Sequence, residues 1–379
     1  MKRDKGAIPG IVPFLKGKAN MKFKCIVPLV VWLIFFCSCQ TEHETKDQWQ
    51  RIDDLFSQWN RNDGPGCALG VVRDGALVYA KGYGMADLQK MQAITIDSIF
   101  DIASTSKQFT AMCIAILEEE GKLHVENDVR DYIPELPQYG KTIRIRHLLH
   151  HTSGLDDYLK WATPVDTEAT ILQKLRDKPL THEVGLKYEY TNTGYLLLGF
   201  IVRRVSGKTL RQFADERIFQ PLGMTHTFFN DDISANGAIL FLAKGYWQSD
   251  PGHFIEYMPP FNFVGNAGVN TSVNDLLLWD GNFYHNRLGR GSQALIERMH
   301  MVGTLDDGGS LGTNYAWGLV VDSYRGRRMI SHGGAFYGYR AQIMRLPDDR
   351  ISVILLANQA EFTPDPLAFK VIDILLENQ

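Results

Sequence analysis

The chain has 379 residues, 45% of them hydrophobic and 11% aromatic, which is ample for one large packed domain or two. A formal net charge of −3 excludes the basic surplus of a nucleic-acid binder. There is no phosphate-cradling glycine loop, internal repeat or low-complexity tract, so the composition favours an enzyme that works without a cofactor.

Near the start, Lys22 and Lys24 precede an apolar run from Cys25 to Phe36, and Cys37-Ser38-Cys39-Gln40 then gives way to polar residues. These are the n-region and h-region of a secretory signal, too short for a comfortable transmembrane helix. The segment resembles a relaxed bacterial lipobox with Cys39 as the lipidated first residue of the mature protein. Phe36 and Cys37 depart from the usual residues there, and uncleaved anchoring is the fallback. The expectation is a targeting segment over 1–39, with Met21 an alternative start, and a tether over 40–51. The protein would then be exported and held by a lipid on the periplasmic side of a bacterial membrane.

Cys67 to Arg73 and Ala76 to Ala80 are β-rich runs joined by Asp74-Gly75, a two-residue hairpin signal. Further on, Phe109, Met112, Cys113, Ile116 and Leu117 recur at helical spacing, and Gly121 is a natural stop. A mainly helical, loop-rich stretch is expected over 122–305. Tyr339 to Leu346 and Ile351 to Asn358 flank Pro347-Asp348-Asp349 as a second hairpin, and Pro366 to Glu377 reads as a terminal helix. The pattern predicts an α/β protein of the α+β kind: 52–121 and 306–379 form an antiparallel sheet flanked by helices, with 122–305 inserted, and 52–379 make one domain. Outside the signal region only Cys67 and Cys113 remain, both in apolar patterns and expected to be free and buried.

Three short motifs carry chemistry: Ser104-Thr105-Ser106-Lys107, Tyr190-Thr191-Asn192 and His332-Gly333-Gly334. A serine hydroxyl is a poor nucleophile at neutral pH and needs a base beside it. On a helix, Ser104 and Lys107 lie at i and i+3 on one face, with Ser104 at the N-terminus where a developing negative charge is favoured. Two competing signals are weaker. Gly308-Gly309-Ser310-Leu311-Gly312 fits the nucleophile elbow G-x-S-x-G, but its flanks have loop composition rather than strand and helix. His147, His150 and His151 have metal-ligand spacing, yet no glutamate is set as in H-E-x-x-H, so a helix end is favoured over a metal site.

With the segments His150-His151-Thr152-Ser153-Gly154-Leu155, Pro221-Leu222-Gly223-Met224 and Ala316-Trp317-Gly318-Leu319, the motifs resemble the penicillin-recognising serine hydrolases. The nearest branch is that of class C β-lactamases and D-alanyl-D-alanine peptidases with their related esterases and aminopeptidases. The resemblance implies that Ser104 is the nucleophile, that Lys107 deprotonates it, and that Tyr190 shuttles a proton and activates water. It implies that Asn192 orients substrate, and that the N–H groups of Ser104 and Ala335 form the oxyanion hole. A phenol near an ammonium is expected to have its pKa lowered toward working pH. His332, Gly333 and Gly334 stand where Lys-Thr-Gly is usual, so a substrate carboxylate is expected to bind weakly or through another group, with Arg340 a candidate. Implied substrates are D-amino-acid peptides of the peptidoglycan kind, small esters or β-lactams, acting through a Ser104 acyl-enzyme. From a different class, the alternative is a catalytically weak sensor of cell-wall fragments or penicillin. Tyr158, Trp161, Trp247, Phe261 and Tyr337 line the cleft or fill core; oligomeric state is not legible.

Overall fold

The computed structural model describes residues 47–377, so the expected targeting segment, Cys39 and most of the expected tether lie outside the described residues. From Trp49 onward the chain forms one compact unit. Its centre is a six-stranded antiparallel sheet. In spatial order the strands are Val320–Tyr324, Arg327–Phe336, Tyr339–Leu346, Ile351–Ala357, Cys67–Arg73 and Ala76–Tyr83. The chain's two ends thus meet in the middle of the sheet, Cys67 opposite Ala357 and Arg73 opposite Ile351.

The first hairpin turns where Asp74-Gly75 predicted, with φ of 52° and 78°, the left-handed values a tight two-residue turn requires. The Ile351–Ala357 strand is buried at every residue because both faces of the sheet are covered. Period-two alternation sorts its side chains. Val353 and Leu355, with Leu69 and Val71 of the neighbouring strand, pack under Phe56 and the terminal helix Pro364–Leu376. Ile354 and Leu356, with Ala68 and Val72, join the large core on the opposite face, which includes the helix Lys107–Glu119. Pro364 and Pro366 sit in the first turn of the terminal helix, where no N–H is needed, so it begins two residues before its sequence signal.

The inserted region carries the helices Ile145–Leu149, Glu168–Arg176, Asn192–Ser206 and Val273–Asn282. Short strands accompany them. Val269–Thr271 pairs with both Phe100–Asp101 and Phe228–Phe229, and Tyr246–Asp250 forms a hairpin with His253–Glu256. Cys67 and Cys113 are both free and buried.

Candidate active site

Ser104 lies in a short 3₁₀ turn, Ala103–Ser106, that runs into the helix Lys107–Glu119. Ala103 takes φ 49°, a left-handed value uncommon for a side chain with a Cβ, and this bends the chain sharply ahead of Ser104. The Arg327–Phe336 strand presses against the turn. A Cβ on Gly334 would stand 2.2 Å from the Ile102 carbonyl, so only glycine fits. Gly318, at φ 70°, presses on the Lys107–Gln108 backbone in the same way: a Cβ there would lie 2.6 Å from the Gln108 nitrogen.

Lys107 is fully buried, and its Nζ donates to three oxygens: Ser104 Oγ at 3.0 Å, Asn192 Oδ1 at 3.0 Å and the Asn266 carbonyl at 2.8 Å. Among the described residues no carboxylate touches it. Asp157 reaches it only through Asn192, whose amide donates to the Asp157 carboxylate at 3.0 Å. Burial pushes the Lys107 pKa down to about 7, and the Asp157 charge offsets part of that. An amine poised between its two forms at neutral pH, in contact with a serine hydroxyl, can take the hydroxyl proton.

Tyr190 closes the other side. Its ring lies 4.8 Å from Lys107 Nζ and its side chain is in hydrogen-bond contact with Ser104. Tyr190 as a whole is 38% exposed, while its hydroxyl end sits deep. Here the expectation of a lowered phenol pKa is corrected. Burial raises it, since a desolvated phenolate is costly; the Ser104 hydrogen bond offsets part of the rise, and Tyr188 and the Asp157 charge add to it. Asn192 opens the helix Asn192–Ser206, with Thr191 capping by accepting from the Thr193 N–H.

His332 is 6% exposed, and both ring nitrogens are committed. Nδ1–H donates to the Gly333 carbonyl at 2.6 Å and Nε2 faces the Tyr315 hydroxyl at 3.1 Å. Burial and the nearby Lys107 push its pKa down to about 4, so the imidazole is neutral and offers no charge to a carboxylate. Nor does Arg340 supply one. It pairs with Ala335, one step out of phase with the Gly334–Ala341 pair that meets the Ser104 turn, so alternation sends it to the sheet's other face. Its guanidinium donates to the carbonyls of Tyr337 and Tyr339. Expected as a substrate-binding group, Arg340 is not among the groups gathered at Ser104.

Ala335 is placed by the hairpin. Phe336 and Tyr339 close a two-residue loop, so the next pair, Ala335 and Arg340, is of the non-hydrogen-bonded kind, its N–H directed away from the partner strand. On that side the Val320–Tyr324 strand pairs only as far as Ser331, which leaves the edge at Ala335 open. Ser104, second in its 3₁₀ turn, likewise has an N–H with no acceptor within the turn.

The remaining signals take other places. His147 Nε2 meets Asp306 at 3.0 Å, with Arg146 and Lys141 on the same carboxylate. His150 caps the helix Ile145–Leu149. His151, at φ 56°, lies with its ring 4.3 Å from that of Tyr190 and accepts the Thr191 N–H. Ser310 sits in a loop, its Oγ accepting the Gly312 N–H. Asp157, Asn266 and Tyr315 were missed by sequence reasoning. Only Asp157 left a trace, as the Asx cap that accepts the Leu159 N–H.

Residues 52–376 match the family model described as Beta-lactamase. Over 308 residues the chain is 32% identical to penicillin-binding protein 4* of Bacillus subtilis, covering 76% of this chain and 67% of that one. It is 30% identical to a D-aminopeptidase of Brucella anthropi over 324 residues, 83% of this chain and 59% of the relative, so it spans well under two thirds of that protein. Among solved structures it superposes on the octameric penicillin-binding protein homologue from Pyrococcus abyssi with a TM-score of 0.77 and 26% identity, covering 88% of this chain and 77% of that one. A penicillin-binding protein from Bacillus halodurans, at 23% identity and a TM-score of 0.70, shares the fold over 86% of this chain and 99% of its own. With its family model, its relatives and its fold in agreement, the chain belongs to the β-lactamase family of serine hydrolases.

Proposed function

We propose that this protein hydrolyses an acyl substrate through an ester on Ser104. The observation that carries this is the buried Lys107 amine, 3.0 Å from Ser104 Oγ, with its pKa at about 7. Lys107 takes the hydroxyl proton as Oγ bonds to the carbonyl carbon, and the oxyanion is received by the Ser104 and Ala335 N–H groups. As the tetrahedral carbon collapses, the bond to the leaving group breaks, and the leaving group gains a proton through Tyr190. The raised pKa of Tyr190 suits a donor. Water then attacks the ester by the same route in reverse, giving up its proton as Ser104 regains one. Asn192 holds Lys107 through its side-chain oxygen.

The substrate class is a D-amino-acid peptide, a small ester or a β-lactam; support comes from the penicillin-binding and D-aminopeptidase relatives. Because His332 is neutral, substrates without a terminal carboxylate are favoured. We also propose export to the periplasmic side of a bacterial membrane with a lipid on Cys39. Support is the apolar run from Cys25 to Phe36 with Cys39 at its end. Radiolabelled palmitate should enter the protein and be lost in Cys39→Ala.

The deciding experiment is intact mass after incubation with a penicillin, D-alanine p-nitroanilide or p-nitrophenyl acetate, in wild type and Ser104→Ala. An adduct or turnover that needs Ser104 supports the mechanism. Saturable binding without acylation favours the sensor, and undiminished hydrolysis by Ser104→Ala overturns the mechanism.

A further inference from the structure

The helix Ile145–Leu149 ends in a Schellman turn: the Thr152 N–H donates to the His147 carbonyl at 2.9 Å and the His151 N–H to the Leu148 carbonyl at 3.5 Å. The residue at its left-handed corner is His151, at φ 56°. Glycine or asparagine fits such a corner with less strain, so the cap alone does not account for an imidazole there. The side chain is 1% exposed and carries a second cost. Burial, with Lys107 nearby, holds its pKa well below the usual histidine value, so the ring is neutral. Nδ1 accepts the Thr191 N–H at 3.3 Å, which puts the ring proton on Nε2, and among the described residues Nε2 has no hydrogen-bond partner. A strained backbone and an orphaned buried donor are features that gather at functional sites.

What His151 holds is Tyr190. Tyr190 ends an irregular stretch ahead of the helix Asn192–Ser206, so neither helix nor sheet fixes its backbone. The His151 carbonyl accepts the Glu189 N–H at 2.9 Å, and its ring accepts the Thr191 N–H. One residue thus binds the chain on both sides of Tyr190. The imidazole also lies against the Tyr190 ring, centroids 4.3 Å and planes 33° apart. Tyr315, edge-on at 4.6 Å, and Tyr195, at 5.2 Å, pack against the same imidazole, so the plate behind Tyr190 has little room to shift.

We propose that His151 is the positioning residue for Tyr190: it binds the backbone on both sides of the tyrosine and backs its ring, and so holds the phenol hydroxyl against Ser104. It acts through Tyr190 and does not touch the reacting atoms. The inference rests on the role given to Tyr190 in the mechanism proposed above, delivery of a proton to the leaving group. A misplaced Tyr190 should therefore cost most where the leaving group cannot depart as an anion.

The test uses p-nitrophenyl acetate and p-nitrobenzyl acetate, which leave the same acetyl group on Ser104. The phenolate departs unaided, whereas the benzyl alcohol must be protonated. Their kcat/KM values, which exclude deacylation, are measured in wild type, Ser104→Ala, Tyr190→Phe, His151→Phe and His151→Asn. Phenylalanine keeps the aromatic plate and removes the acceptor; asparagine keeps an acceptor in the place of Nδ1 and tolerates the left-handed corner. The benzyl-to-phenyl ratio should fall roughly tenfold or more in Tyr190→Phe and in His151→Phe, and be largely restored in His151→Asn. Equal losses on both esters in His151→Phe mean a structural role only and overturn the inference, as does an unchanged ratio. If the ratio falls in Tyr190→Phe but not in His151→Phe, the inference alone fails. If it does not fall in Tyr190→Phe, the role of Tyr190 and the inference fail together, and hydrolysis that survives Ser104→Ala overturns the mechanism itself. Should His151→Phe not fold, His151→Gln takes its place, since its amide reaches toward the position of Nε2 and not of Nδ1. Fluorine NMR of the fluorotyrosine-labelled protein gives a readout without substrate. The resonance lost in Tyr190→Phe should broaden or split in His151→Phe and stay sharp in His151→Asn; an unaltered line in His151→Phe overturns the inference.

Discussion

Among the described residues Lys107 and Arg345 are buried cations, and their surroundings differ in one respect. Arg345, on a central strand, is 2% exposed and sits 2.7 Å from the equally buried Asp280, which also accepts from Ser352 at 2.7 Å. Its guanidinium lies 3.9 Å from the centre of the Phe283 ring, which covers the charge where no oxygen reaches. Lys107 is as deeply buried, but it is held by a hydroxyl and two neutral carbonyl oxygens, with the nearest carboxylate one residue removed. Arg345 meets its counter-charge and is an anchor, whereas Lys107 meets only dipoles, and burial moves its pKa into the working range, where it is a candidate base.

Breaking the reactive pair gives the largest effect. Ser104→Ala and Lys107→Met should each lower kcat by several orders of magnitude with little change in melting temperature, measured on any substrate the wild type turns over. Full activity in either would mean that the buried amine is not the base. Breaking the anchoring pair should do the reverse. Asp280→Ala strands Arg345 and should cost about 3–5 kcal/mol in denaturant unfolding, with kcat of the folded fraction retained.

The pH profile sharpens the contrast. Lys107 works as the neutral amine, so kcat/KM should be low where it is protonated and rise as pH passes through about 7. The Asp157 charge raises that pKa, so Asp157→Asn should move the acidic limb to lower pH. A limb that stays in place would show that the carboxylate is not felt through Asn192. The smallest effect is expected from Arg340→Ala. Its guanidinium serves the Tyr337 and Tyr339 carbonyls, so KM for a carboxylate-bearing peptide should change by less than about twofold.

Much of the scaffold was legible because it is local. The strand Cys67–Arg73 and its Asp-Gly turn, the Tyr339–Leu346 strand and the helix after Ser104 each follow from side-chain periodicity and turn chemistry within a few residues. The short strands within 122–305 were not. Two or three residues such as Phe228–Phe229 carry no period, and they pair only because Val269–Thr271 arrives from far along the chain. Arg340 shows the same limit in the site. Its neighbourhood in sequence suggested a partner for substrate, but the pleat, fixed by register with two other strands, turned it away.

The sequence by itself determined the candidate reactive residue types and the order in which they appear: a serine with a lysine one turn on, a tyrosine with an asparagine two further, and a glycine pair in a strand. It could do so because nucleophile, base and close backbone approach each demand a particular residue chemistry. Tertiary structure alone decided which charges are balanced. Lys107 is a candidate base because Asn192 and Asn266, not a carboxylate, arrive beside it. His332 is neutral because Tyr315 and the Gly333 carbonyl hold its ring in a dry place. A pKa depends on desolvation and on charges a few ångströms away, and in a folded chain those come from residues distant in sequence.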